Sequence, residues 1–309
     1  EFDDRGAMRG AAIDTYLLEK IRLPRHAKGE RNFHAFYQLG AASSTSSEKI
    51  GGVAWRLPPN CAEACSYLKQ GGISKLDSMD DAKEFDTVVE SLLTLGVSSA
   101  DVASVFALVA GLAHLGDVVF AFAVGDDGGG STVEDRSTLE LAASLCGLDG
   151  DALLGAMTSR TVSARNESYT VRLIPKDASQ ARDAIAKALY GRLFEWLVLK
   201  CNAGIASSTE SFRKAASIGV LDIFGFECFA VNSFEQLCIN YTNETLQQQF
   251  NRYVFKLEQQ EYEREKIKWS FVEFPDNQDC LDLIEGTRKS CPLDGGLLAM
   301  LDDECRLPR

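Results

Sequence analysis

The chain has 309 residues, a formal net charge of −13, and 45% hydrophobic and 25% charged residues, the balance of a globular protein of one large or two ordinary domains with a sizeable core. The acidity argues against general binding to nucleic acid or anionic membrane, both of which reward basic surfaces, so any acidic partner must be met by a local patch. The longest apolar segment, residues 102–115, is interrupted by Ser104 and His114 and is shorter than the ~20 residues that span a bilayer; it reads as a core helix, and no membrane span is expected.

Glu1-Phe2-Asp3-Asp4-Arg5 carries neither an initiator methionine nor a targeting pattern, and the expectation is a chain that starts inside a domain. Residues 41–52, rich in Ser, Thr and Gly, read as a surface loop. Cys61 and Cys65 lie one helical turn apart, but zinc needs further ligands, and none of His26, His34 and His114 pairs with a cysteine. They read as buried thiols. Nine cysteines, an odd number without a secretory signal, indicate reduced thiols of a cytosolic protein. Helical periodicity marks the stretch after Asp80 and residues 102–115. His114 reads as a packed or capping histidine. Residues 125–132, Gly-Asp-Asp-Gly-Gly-Gly-Ser-Thr, form a flexible loop by composition.

Residues 158–176 break the acidic trend, with Arg160, Arg165, Arg172 and Lys176 against one acid, Glu167. The stretches flanking Asn166-Glu167-Ser168 read as the arms of a hairpin, which taken alone is a solvated one. Residues 217–222, Ser-Ile-Gly-Val-Leu-Asp, close an apolar run on an acid and read as a buried strand, at whose carboxyl end open α/β sheets place ligand loops. A carboxylate there, Asp222, can hold the water shell of Mg²⁺. Gly225 lacks a Cβ, so its N–H can approach a terminal phosphate. Asp-x-x-Gly after a strand is the pattern of a phosphate-sensing switch loop, although an ordinary strand-to-loop turn carries the same two residues. Ser233-Phe234-Glu235-Gln236 has capping-box form, and apolar residues recur at Phe234, Leu237, Cys238, Tyr241, Leu246, Phe250, Tyr253, Val254 and Leu257. A helix running from there to Lys268 is about 50 Å long at ~1.5 Å per residue, enough to act as a lever across a domain. Its charged end reads as a solvated tail.

Asp222-Ile223-Phe224-Gly225-Phe226-Glu227, with residues 232–241 and 243–251 behind it, closely resembles switch II and the relay helix of the myosin motor head. The resemblance covers nearly the whole chain. Residues 6–20 and 30–39 resemble the segments directly after switch I, residues 113–120 a His-Leu-Gly-Asn turn, and residues 183–196 an Asp-Ala-Leu-Ala-Lys helix. Residues 279–285 and 296–308 resemble the start of the lower actin-binding helix-loop-helix.

The resemblance implies an α/β, mostly helical fold, part of a P-loop NTPase-type motor head that lacks the P-loop and switch I. Residues 1–216 would form the upper actin-cleft region, including an actin-contacting loop near 158–176; residues 217–309 would carry switch II, the relay helix and relay loop, and the start of the lower cleft region. It implies that Asp222 lies near Mg²⁺ through water, that Gly225 senses the γ-phosphate and that Glu227 pairs with a switch-I arginine on closure. Arg160, Arg165, Glu167 and Arg172 would contact actin, with Glu167 where many members have an acid or a phosphorylatable hydroxyl. Ser233, Phe250 and Trp269, which looks like the relay-loop tryptophan, would couple the site to movement.

No Gly-Lys pair occurs, so there is no Gly-x-x-x-x-Gly-Lys-Ser/Thr phosphate loop, and no Asn-x-Asn-Ser-Ser-Arg stretch either. Two of the three ATP-handling loops are therefore missing. The implied parent is a cytoplasmic, actin-activated Mg-ATPase with ATP and Mg²⁺ as cofactors. Actin filaments would be its partner, and light chains or calmodulin would sit on an absent neck. The 309-residue chain alone is expected to be inactive. The alternative is a non-hydrolysing actin-binding scaffold derived from such a head, against which stand the intact Asp222, Gly225 and Glu227.

Overall fold

The computed structural model describes residues 1–16, 18–42, 54–123, 129–164, 167–206, 216–222, 225–229, 232–268, 270, 277–286 and 295–306. The chain divides into two compact units, Glu1–Ile218 and Gly219–Arg309. In the first, the helices and strands are α1 (His34–Ala42), α2 (Cys61–Ala64), α3 (Asp81–Thr94), α4 (Ser99–Gly116), β1 (Phe120–Phe122), β2 (Ser131–Val133), α5 (Arg136–Leu145), α6 (Gly150–Thr158), β3 (Ser159–Ala164), β4 (Glu167–Arg172) and α7 (Pro175–Ile205).

Helix α4 is the centre of this unit. Ser98 caps it by accepting from the Asp101 N–H, and its apolar residues run all round the helix, the pattern of a helix buried on every side. By length and composition α4 could cross a bilayer, yet 67% of it is buried inside the unit. It packs against α1, α3, α5 and α7, the core helix that residues 102–115 announce. Two glycines set how closely its neighbours approach: a Cβ on Gly111 would stand 2.6 Å from Cys146 Sγ, and one on Gly116 would stand 2.7 Å from the Tyr67 ring. The Phe85 ring packs between Trp55 and Phe106, with centroids at 6.0 and 4.6 Å.

Asp80 caps α3 by accepting from the Ala82 and Lys83 N–H groups. Cys61 and Cys65 are buried thiols, and burial pushes Cys65 up to about 12. His114 is a packed histidine whose Nε2–H donates to the Trp55 carbonyl at 2.9 Å. At the C-terminal end of α4, Arg182 of α7 donates to the Gly116 and Val118 carbonyls at 3.2 and 2.7 Å. The Tyr67 hydroxyl donates to Asp183 at 2.7 Å. These bonds fix α7 to the core.

Two loop expectations shift at their edges. Ala41 and Ala42 complete α1, and residues 43–53 lie outside the described residues. Ser131 and Thr132 belong to β2, which pairs antiparallel with β1 (Phe120↔Val133), while residues 124–128 lie outside the described residues.

The second unit contains α8 (Phe234–Asn251), a π-helical segment Arg252–Leu257, α9 (Glu258–Arg264), α10 (Gln278–Glu285) and α11 (Gly296–Arg306). The helix expected to reach Lys268 ends at Arg264, with Lys266 at φ +54° breaking it. Asn277 Nδ2 donates to the Glu244 carbonyl and carboxylate at 2.8 and 2.6 Å, and Tyr241 donates to Glu285, so α10 is tied to α8 by polar groups.

Residues 217–222, expected as a buried strand, are irregular, with Ile218, Val220 and Leu221 exposed at 76%, 92% and 55%. A strand buried on both faces needs a ladder partner for its main chain. The described strands form only two antiparallel two-stranded sheets, β1–β2 and β3–β4, so this segment has none among them. The fold is thus α/β and mostly helical, as expected.

Candidate functional site

Helix α8 turns an unexpected face inward. Gln236, Asn240, Asn243 and Asn251 are 4%, 8%, 8% and 7% exposed, whereas Phe234, Phe250, Tyr253 and Leu257 of the expected apolar stripe, which runs on past α8, are exposed at 57%, 54%, 70% and 48%. The buried amides recur at helical spacing, and two of them, Asn240 and Asn243, meet main chain. Asn240 brackets the Glu227 peptide, its Oδ1 accepting from the Glu227 N–H at 2.9 Å and its Nδ2 donating to the Glu227 carbonyl at 2.7 Å. Gln236 Nε2 donates to the same Asn240 oxygen at 3.2 Å. Asn243 Nδ2 donates to the Gly225 carbonyl at 2.5 Å. Asn232 brackets Phe229 in the same way, at 3.0 and 2.7 Å. A primary amide carries a donor and an acceptor side by side, so it pairs with main chain as a neighbouring strand would.

Ser233 occupies the N-cap of α8 but makes no side-chain cap bond, so the capping box does not form. Phe250 packs edge-on against Phe255, with centroids 6.4 Å apart, across the start of the π-helical segment. Trp269 lies outside the described residues.

On this platform Gly225 adopts φ +79°, a conformation that favours glycine. Its carbonyl is held by Asn243 while its N–H has no partner among the described residues. The Glu227 carboxylate carries no ion pair among the described residues. Asp222 is exposed, and its carboxylate likewise has no partner among the described residues. No group of three or more metal-ligating side chains occurs among them. One free carboxylate fits the way hydrated Mg²⁺ is held, by one or two carboxylates together with phosphate oxygens.

The basic segment folds as a hairpin, with β3 and β4 antiparallel and Arg160↔Val171, Val162↔Tyr169 and Ser159↔Arg172 opposed. Alternation along a strand therefore puts Arg160 on one face with Val162, Tyr169 and Val171, and Arg172 on the other with Ser159, Thr161 and Thr170. The two arginines do not make one patch. Val162, Tyr169 and Val171 are 39%, 52% and 39% exposed, an apolar surface beside Arg160. Arg165 lies outside the described residues, and Glu167 begins β4.

The family model for the myosin head (motor domain) matches residues 1–309. The chain belongs to the myosin head family. It is similar to Myosin-7 of Arabidopsis thaliana, 43% identical over 312 aligned positions that cover 100% of this chain and 17% of that protein. It is 43% identical to Myosin-2 of Lachancea kluyveri and 41% identical to Myosin-52 of Schizosaccharomyces pombe, each match covering 99% of this chain and 19% of the relative. The chain thus spans under a fifth of the length of these relatives.

Within this myosin-head segment, the residues that sequence reasoning missed are the amides of α8. Their spacing at positions 236, 240, 243 and 251 was the available signal.

Proposed function

We propose that this chain is part of an actin-based, ATP-driven motor, in which residues 222–229 sense the terminal phosphate and α8 carries their displacement onward. The observation that supports this most is the grip of Asn240 and Asn243 on the Glu227 and Gly225 peptides. A loop held by its main chain cannot shift without moving the helix or breaking those bonds.

In this reading the Gly225 N–H, uncommitted and at a positive φ, donates to a γ-phosphate oxygen. Glu227 meets an arginine supplied by switch I as the loop closes. Asp222 orients the water shell of Mg²⁺, which when bound neutralises charge on the β- and γ-phosphate oxygens. Water attacks the γ-phosphate in line, and catalysis rests on positioning and charge stabilisation rather than a covalent intermediate. The phosphate loop and switch I would come from elsewhere in a longer chain, as would any neck that binds light chains or calmodulin. The hairpin would meet the actin filament with Val162, Tyr169 and Val171 at its centre and Arg160 at its rim, the arrangement in which aromatic anchors carry binding and rim charges steer encounter.

The test is the Mg-ATPase of a complete head containing this segment, with and without actin filaments. Actin-activated turnover abolished by Asp222→Ala is the expected result, and the 309-residue chain alone should show none. A complete head that binds filaments yet never hydrolyses ATP would establish the scaffold instead.

A further inference from the structure

Helix α7, 31 residues from Pro175 to Ile205, is about 45 Å long at ~1.5 Å per residue. Its start is joined to the hairpin: β4 ends at Arg172, the Leu173 N–H donates to the Thr158 carbonyl at 2.8 Å and closes the hairpin's base, and Pro175 opens the helix. Its far end holds residues 11–13. Asn202 Oδ1 accepts from the Ile13 N–H at 2.7 Å, and Asn202 Nδ2 donates to the Ile13 carbonyl at 2.9 Å, the same two-bond bracket that Asn240 makes on Glu227. The carbonyl of Ile205, in the last turn where no intrahelical donor is left, accepts from the Ala11 N–H at 3.0 Å.

Close packing leaves α7 little room to slide. A Cβ on Gly191 would stand 2.8 Å from Lys20 Cε, and one on Gly204 would stand 2.4 Å from the Leu95 carbonyl oxygen. The strip that α7 holds continues to a third place. Asp3 closes a turn by accepting from the Ala7 N–H at 2.9 Å and from Arg9 Nε at 2.6 Å, which lays Phe2 antiparallel to Met8. On its other edge Phe2 bridges Ala216, its N–H donating to the Ala216 carbonyl at 2.9 Å. Asp222 follows six residues later. A pinned strip therefore runs from the end of α7 through residues 2–13 to the root of the segment that leads into the phosphate-sensing loop.

We propose that Asn202 is a positioning residue for actin-activated turnover: it hands the displacement of α7, pushed at its hairpin end by a filament, to residues 11–13 and so to the segment ahead of Asp222. This rests on the motor reading above and adds to it an input separate from the grip of α8. The Ile205–Ala11 bond by itself is a pivot. Pairing with both the donor and the acceptor of one residue fixes the strip's direction as well as its position. Asn202 touches no reacting group, so its removal leaves the chemistry of hydrolysis in place.

Asn202→Ala keeps α7, alanine being the better helix former, and removes only the bracket. In the 309-residue chain, hydrogen exchange at the Ile13 N–H should rise about tenfold, while the Ala7 N–H, held by Asp3, exchanges as in the parent. In a complete head, maximal actin-activated turnover should fall about tenfold, with the basal Mg-ATPase and the filament concentration for half-activation each within about twofold of the parent. Asn202→Asp, which keeps the acceptor for the Ile13 N–H, should lie between the two. Unchanged exchange at Ile13 would overturn the bracket. Faster exchange with undiminished activation, or a basal rate that falls as far as the activated one, would overturn the coupling. A parent head that filaments do not activate would overturn the motor reading and the coupling with it, and is told apart by the exchange contrast at Ile13, which needs no ATPase.

Discussion

Asn240→Ala is the most direct perturbation of the link between the loop and α8. It removes the acceptor of the Glu227 N–H at 2.9 Å, the donor to the Glu227 carbonyl at 2.7 Å, and the acceptor of Gln236 Nε2 at 3.2 Å. Asn240 is 8% exposed, so water does not replace these partners while the loop stays seated. The Gln236 bond lies within α8 and does not hold the loop. At ~1 kcal/mol net for each of the two bonds to Glu227, the loss is about 2 kcal/mol, a shift of roughly 30-fold toward the released loop. Amide hydrogen exchange of the 309-residue chain reads this at the Glu227 N–H, which should exchange about 30-fold faster in the variant. Amides inside α4 serve as the unaffected control. Asn240→Asp keeps the acceptor for the N–H but sets a carboxylate oxygen against the Glu227 carbonyl, and should fall between the two. If Glu227 exchanges within about twofold of the parent in Asn240→Ala, the bracket holds nothing and the coupling argument fails. In a complete head the same substitution should lower turnover far more than ATP affinity, because the lost interaction acts on the closed loop rather than on binding.

Gly225→Ala meets no atom within 4 Å of the new Cβ, so its cost arises from the positive φ alone, about 1–2 kcal/mol; denaturant midpoints of the isolated chain check this, and a complete head should lose turnover while retaining nucleotide. In actin co-sedimentation with a complete head, Tyr169→Ala should weaken binding by about 2 kcal/mol, as expected for an aromatic anchor. Arg160→Glu should instead slow association and reduce its salt dependence. Burial, the largest cause, lowers the pKa of His26 below its ordinary 6.5, so the fold holds it neutral. Its contribution to stability is complete above 6.5 and is lost as pH falls through the depressed folded value, because the unfolded chain binds the proton first. Denaturant midpoints between pH 7.5 and pH 5 should therefore fall less in His26→Gln than in the parent.

Helix α4 was legible because an almost uncharged 18-residue stretch has one stable solution in water, burial on every side. The hairpin was legible from the two arms flanking Asn166-Glu167-Ser168, and α3 from the helical periodicity after Asp80. The orientation of α8 was not, because periodicity weighs apolar residues and assigns them inward. A helix that packs against another segment's main chain needs donors and acceptors on that face, which hydrophobicity does not encode. Charge counting likewise placed Arg160 and Arg172 together, whereas strand parity separates them: Arg160 opposes Val171, and Arg172 opposes Ser159. Residues 217–222 show the same limit from the other side, since apolar composition announces burial without supplying the ladder that a buried strand requires.

That last difference bears on mechanism. Along residues 225–229 the carbonyls of Gly225 and Glu227 accept from Asn243 and Asn240 of α8, and that of Phe229 accepts from Asn232 just before the helix. What remains uncommitted among the described residues is the Gly225 N–H, the carboxylates of Asp222 and Glu227, and the exposed side chains of Val220, Leu221 and Phe226. A segment satisfied on both sides would resist displacement, and one satisfied on neither would not hold a geometry. On the function proposed above, a segment held by its carbonyls on one side and open on the other would answer a new hydrogen bond at Gly225 as a unit. The amides of α8 are then the first groups obliged to follow.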